Sequence, residues 1–455
     1  MKNIIFIFFG LLVVSCNEFL EVELPKDQLT ADLIFKDDQL AKSAMAGVYR
    51  SIEEKGFLTG SSMGISAYMG CYADELTAHE TTNSNLVQFY RLTLNPQANL
   101  IKTLWNDTYN QVYSINRIIE GLSASSNVSV DVNNRLTGEA YFLRALLHFY
   151  LTQSFGNVPY IKTTDYRINA VVAKVESDEV LRKALEDLSN AERLLPEQLA
   201  AGARVRPTKM AVYALKSRIH LYLKEWDQAI LYSSKVISNG SYAYETDLSK
   251  TFKKESRSSI WQLEPALAGS NTKQGTLFIL LTAPPTQLSL SNSFVNSFEP
   301  QDQRKTNWIG TIKDAQQNQF YYSYKYKQNT VTSTTQEHSV VLRVEEQYLI
   351  RAEAYIKKQM IQEGLSDLNL IRNRVGLPSL TTVDGQALLV AVMNERNHEL
   401  FTEFGHRFFD LKRSGELTTV MQIVKANWKA DYQNLPLPES ELLLNPNLLP
   451  QNDGY

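Results

Sequence analysis

One helical pattern occurs three times in this 455-residue chain, and it limits the fold more than any other feature. The copies are Tyr141-Phe142-Leu143-Arg144-Ala145-Leu146-Leu147-His148, Tyr213-Ala214-Leu215-Lys216-Ser217-Arg218-Ile219-His220 and Tyr348-Leu349-Ile350-Arg351-Ala352-Glu353-Ala354-Tyr355. Each has a tyrosine, an aliphatic residue two later, a base, a small residue, and His or Tyr seven after the first. The tyrosine, the small residue and the last residue stand at i, i+4 and i+7, so they share one helical face. A small side chain in mid-face lets a second helix approach closely, which suits stacked helix pairs.

Each copy is followed by a second helical stretch. After the middle copy, Trp226, Ala229, Ile230, Ser233, Val236 and Ile237 form one stripe, and Asn239-Gly240 ends it. After the last come Leu365, Leu368, Ile371 and Val375, ended by Gly376 and Pro378. After the first, Ser177-Asp178-Glu179 opens a helix that runs to about Leu195, with Pro196 beyond. A weaker fourth pair joins Asp38–Ile52 to Leu104–Leu122. The spacing is irregular, so tetratricopeptide-type hairpins are expected but no regular solenoid. The scaffold is placed at about 30–55, 104–239 and 340–413. Two stretches, about 56–100 and 240–340, lack the repeat and are rich in Gly, Ser, Thr, Asn and aromatic residues. Short alternating pieces there predict a few small strands, and such insertions are where function belongs. An extended tail is expected over 431–455.

The N-terminus sets the compartment. Lys2 precedes an apolar run from Ile4 to Val14, too short to span a bilayer but suited to a signal peptide over 1–15. Ser15-Cys16 at its end resembles a bacterial lipobox, in which Cys16 would carry the lipid. The other cysteine, Cys71, then has no partner and reads as a small buried residue. No other segment is apolar enough to cross a membrane, so the expected anchor is the lipid. The length after residue 15 exceeds one ordinary core, so a single large domain, 16–455, with an elaboration is expected. A net charge of −3 without a basic stripe argues against nucleic acid.

The C-terminal cluster Glu395, Arg396, His398, Glu399, Glu403, His406, Arg407 and Asp410 has the composition of a catalytic or metal site. It reads better as paired charges locking the last helices to the repeats. His148 and His220 recur at equivalent repeat positions, and Tyr355 replaces them in the third copy, which marks packing rather than catalysis. No phosphate-cradling loop follows Gly60-Ser61-Ser62-Met63-Gly64, and no Gly-x-Ser-x-Gly elbow exists. Asp74-Glu75 and Glu345-Glu346 are sequence neighbours, whereas a glycosidase needs carboxylates converging across a cleft. No catalytic residue, cofactor or metal is implied.

Nearly the whole mature chain resembles the SusD/RagB-like nutrient-binding outer-membrane lipoproteins. The matching pieces run in order. They are Glu18 to Val22 with Pro25 and Thr30, Ala44 to Tyr49, and Trp105, Tyr109, Asn116 and Ile118. Arg144-Ala145 follows with Phe155-Gly156-Asn157-Val158-Pro159, then Glu395-Arg396 and Glu399-Leu400 with Gly405 to Arg413. The last is the ending from Leu435 to Tyr455. Asn397 and Asp453 depart from the usual Arg and Pro. The resemblance implies a mostly α, SusD-like fold: four helix pairs plus an irregular, loop-rich ligand-binding part with a few short strands. It also implies a palmitate-type anchor in the outer membrane, facing outward, and capture of an oligosaccharide or peptide. Delivery would be to a SusC-like TonB-dependent barrel transporter, without catalysis. A helical-repeat protein docking other surface proteins is the alternative. Sugar capture needs rings that stack on C–H faces beside short polar groups. The candidates are Tyr68, Tyr72, Asp74, Asn83, Phe89, Tyr90 and Arg91 in the first insertion, and Trp308, Tyr321, Tyr322 and Tyr324 in the second.

Overall fold

The small residues of the repeat set how its helices meet. A computed structural model of the protein describes residues 34–80, 84–199 and 204–455. The signal peptide, Cys16, the Glu18–Val22 segment with Pro25 and Thr30, and Asn83 lie outside them. In chain order come α1 (Asp38–Glu54), α2 (Ile65–Tyr72), β1 (Leu76–Ala78), α3 (Asn85–Arg91) and α4 (Asn99–Ala124). Then follow α5 (Val130–Phe155), α6 (Ser177–Leu194), α7 (Lys209–Tyr222) and α8 (Trp226–Ile237). The strands β2 (Ser259–Leu263), β3 (Leu288–Leu290), β4 (Ile309–Lys313), β5 (Gln319–Ser323) and β6 (Ser339–Arg343) come next. The chain closes with α9 (Val344–Lys357), α10 (Ile361–Arg374), α11 (Gly385–Leu400), α12 (His406–Ser414) and α13 (Leu417–Val424). The fold is mostly α with a few short strands, as the sequence predicts.

The three repeat copies lie in α5, α7 and α9. Each packs on the helix that follows it, α6, α8 and α10, and α1 packs on α4. Ala145, Ser217 and Ala352, the mid-face residues, are fully buried. The conserved base of the pattern ties helices together. Arg144 forks onto Asp187 of α6 at 2.7 and 2.6 Å, and Arg351 onto Asp367 of α10 at 2.7 and 2.8 Å. Lys216 instead reaches back to Glu192 of α6 and links two successive pairs. His148 is a packing residue. Its Nδ1 lies 2.9 Å from the Arg144 carbonyl, its Nε2 accepts from the Ile161 amide, and its ring stacks on Tyr160. Burial pushes its pKa down to about 3, so it stays neutral.

Local chemistry fixes the helix ends. The Asp37 carboxylate accepts from the Gln39 and Leu40 amides and starts α1. That helix buries Ala41, Met45, Val48, Tyr49 and Ile52, one stripe of the helical period. Gly376, at φ +80°, lets the chain turn away just after α10.

The two irregular stretches form one body. A four-stranded antiparallel sheet has the order β1-β3-β5-β4, with Leu76 opposite Leu290. A second, two-stranded antiparallel sheet pairs β2 with β6, which leads straight into α9. The first stretch therefore contributes a strand to the sheet built by the second. Ser291 seals the junction, taking the Glu75 carbonyl with its amide and the Asp74 carbonyl with its hydroxyl.

Candidate functional site

The C-terminal charge cluster is a buried ion network. Glu399 is fully buried and faces Arg343 at 2.6 Å, Arg374 at 2.9 Å and Arg304 at 3.0 Å. Burial alone would raise its pKa; Arg374, Arg343 and Arg304 hold it well below the usual carboxylate range. Glu395 lies 2.6 Å from Arg304. Arg396 binds Asp410 at 2.8 Å, and Asp410 also takes Arg413. Arg407 forks onto Asp74 at 2.9 and 2.7 Å, which ties α12 to the first irregular stretch. His398 is kept neutral by burial and nearby Arg304, and its Nε2 sits 2.8 Å from the Ser297 hydroxyl. Among the described residues no three His, Cys, Asp or Glu side chains are grouped to hold a metal. Every carboxylate of the network faces a guanidinium, while burial holds the Glu395 carboxyl above its usual pKa.

The aromatic candidates separate by burial. Trp308 is fully buried; its Nε1 donates to the Leu248 carbonyl at 3.0 Å and its ring packs against Phe252. Tyr72 and Phe89 are fully buried as well. These three do not present rings to a ligand, contrary to the expectation from sequence. Tyr72 and Phe89 lie on α2 and α3, core helices that the C-terminal chain closes over, and Trp308 ends a short helix packed into the core of the second stretch. Tyr72 packs against Phe408 and Trp428, and its hydroxyl meets that of Tyr455 at 3.2 Å. Lys425 caps the Cys71 and Tyr90 carbonyls and covers the Tyr90 ring at 3.8 Å. Tyr321 packs partly buried against the core. Tyr322 lies over Gly310, where a Cβ would meet its ring, and stands edge-on to Tyr324, whose face is taken by Lys327. Arg91 is exposed.

One candidate ring, Tyr68, reaches a cavity of about 500 Å³. Its ring stacks on Phe89 at 4.3 Å, and its hydroxyl accepts from the Asn85 amide at 3.5 Å. Burial pushes that hydroxyl's pKa up to about 12, so it keeps its proton. The end of α1 at Lys55 and Gly56, together with Met63, Asn85 and Gln88, adds to this side. The opposite wall is a short outward-facing row. From Leu92 to Leu100 the polar residues Thr93, Asn95, Gln97 and Asn99 are exposed, while Leu92, Leu94 and Leu100 are buried. Thr103 and Asp107 of α4 complete the wall. Five carboxamides, two threonine hydroxyls and one tyrosine thus line one cavity. Such groups both donate and accept, as sugar hydroxyls do. The sequence signal for the row was a period-two alternation rather than an aromatic cluster, and it was missed for that reason. Asp74, Tyr322 and Tyr324 are not part of this cavity.

Comparison with known proteins bears on the whole chain. A family profile described as SusD-like, "Starch-binding associating with outer membrane", matches residues 18–221. The SusD family profile matches residues 296–455. The chain belongs to the SusD/RagB-like family. Among curated SusD-like relatives, protein P25 of Formosa agariphila is 22% identical across 99% of each chain. Protein P2 of the same organism is 23% identical, covering 100% of this chain and 99% of that protein. The SusD fold is seen directly in solved structures. A SusD superfamily protein from Bacteroides vulgatus superposes with a TM-score of 0.79 at 21% identity, over 93% of this chain and all of that one. A laminarin-binding SusD-like protein gives 0.75 at 21% identity, over 92% of this chain and all of that one. Surface glycan-binding protein A from Bacteroides thetaiotaomicron gives 0.77 at 19% identity, with the same two coverages.

Proposed function

We propose that the protein is a non-catalytic, cell-surface nutrient-binding lipoprotein that captures an oligosaccharide and delivers it to a TonB-dependent barrel transporter. The observation that carries the reading is the amide- and hydroxyl-lined cavity beside Tyr68, set in a SusD-family scaffold. Cavities of this size bury a small ligand, and a few placed polar groups fix its orientation. Names of similar structures, a laminarin-binding protein and a surface glycan-binding protein, point to the same ligand class. The lipobox-like Ser15-Cys16 supplies the anchor, and among the described residues no helix is long and apolar enough to cross a membrane. Catalysis has no support in the charge network, where each carboxylate is already paired.

Capture followed by hand-off calls for dissociation constants in the micromolar range. Calorimetry of the purified chain against a panel of oligosaccharides and peptides should find one binding class, and mild detergent extraction of the native membrane should bring down a large barrel protein. A panel without any ligand, together with no barrel partner, contradicts the proposal. The alternative, a protein that only docks other surface proteins, predicts that Tyr322→Ala breaks a protein complex while no glycan binds.

A further inference from the structure

We infer that the cavity beside Tyr68 selects neutral, hydroxyl-rich oligosaccharides and turns away chains bearing uronate or sulfate groups. The inference rests on the glycan-capture reading and narrows it. The cavity's charged lining consists of Lys55 and Asp107, and they face each other at 3.6 Å. The two offset each other, so the lining carries no net charge to hold an anionic sugar. Everything else in the polar lining is amide or hydroxyl. The Asn95 side-chain oxygen already accepts from the Gln97 backbone amide at 2.8 Å, so its NH2 is the end that remains to donate. Tyr68 keeps its proton and can donate to a ring or hydroxyl oxygen.

Two further features bear on the choice. α4 begins at Asn99 without a side-chain cap, and Ala98, Asn99 and Leu100 line the cavity, so the partial positive charge of that helix end lies beside it. As a partial charge it is no full counter-ion for a carboxylate or sulfate, and it serves a neutral hydroxyl or carbonyl oxygen equally well. Tyr68 offers little ring surface, because Phe89 covers one face and only 3% of the residue is exposed. Recognition therefore depends on hydrogen bonds more than on stacking. A charged group placed among them would lose its water without gaining a counter-ion.

Size-matched neutral gluco-oligosaccharides and polyuronate oligosaccharides, titrated into the full chain by calorimetry, test this directly. The neutral series should bind at least about tenfold more tightly. In Asp107→Asn, which releases Lys55, the ratio of the two affinities should move about tenfold toward the uronate. Asn99→Ala should weaken the neutral series. Uronate that binds the unaltered chain as tightly as the neutral sugar, and that loses binding in Asn99→Ala, overturns the selectivity while leaving glycan capture intact. Neither series binding, or binding untouched by Asn99→Ala, overturns the selectivity and the placement of capture in this cavity together.

Discussion

Single carboxylates in this chain carry opposite electrostatic histories. Glu399 is ionised among three arginines, and removing it leaves those guanidiniums buried without a counter-charge. Glu399→Ala should cost about 3–5 kcal/mol, read as a shift in the denaturant midpoint at pH 7. Glu75 is the reverse case. Burial, then the neighbouring Asp74, raise its pKa to about 8. The folded state therefore binds this proton more strongly than the unfolded chain does. Its contribution is full below the ordinary carboxylate pKa and fades as pH rises toward 8. Glu75→Gln, which keeps the shape without the titration, should remove that fade. The difference in stability between the parent and the variant should move in the variant's favour from pH 5 to pH 8, and a constant difference would contradict the assignment. The pairing of Asp74 with Arg407 was not legible from spacing, because the partners lie 333 positions apart. What the sequence does show is a cluster of mixed charge, with Arg396 and Arg407 among four carboxylates, which reads as paired.

At the scale of the element, the repeat was readable because helical packing needs a small residue at a fixed position. Ala352 sits with no exposed surface where α9 meets its neighbours. Ala352→Leu should cost about 1–3 kcal/mol through overpacking, measured by thermal or denaturant unfolding. A neutral outcome would mean that the helices are looser than the repeat implies. The irregular stretches were harder to read. Their tyrosines and Trp308 look like a ligand platform in sequence, but a ring's identity does not say which way it faces. Trp308, Tyr72 and Phe89 turned inward because short helices and strands in these stretches fold as core. The cavity wall came instead from Leu92 to Leu100, where apolar and polar residues alternate without being a strand. Alternation of that kind marks any chain segment lying on a core, so by itself it did not point to ligand.

At the scale of the molecule, three parts of the sequence meet at one corner. The first irregular stretch holds α12 through Asp74 and Arg407, receives β3 through Leu76 and Leu290, and lies under the C-terminal residues Lys425 and Tyr455. Such long-range closure holds helices α2 and α3 of this stretch from three sides. The fold class was legible because it depends on a local period, whereas the site depends on contacts between distant segments. The proposed function places a sugar in the cavity lined by Tyr68 and the Thr93–Asn99 row. A crystal structure of the chain soaked with its tightest-binding oligosaccharide tests it most directly. Sugar density is expected within hydrogen-bonding distance of Asn95, Gln97 or Asn99. Sugar ordered on the Tyr322 and Tyr324 strand, or elsewhere with this cavity empty, would contradict it.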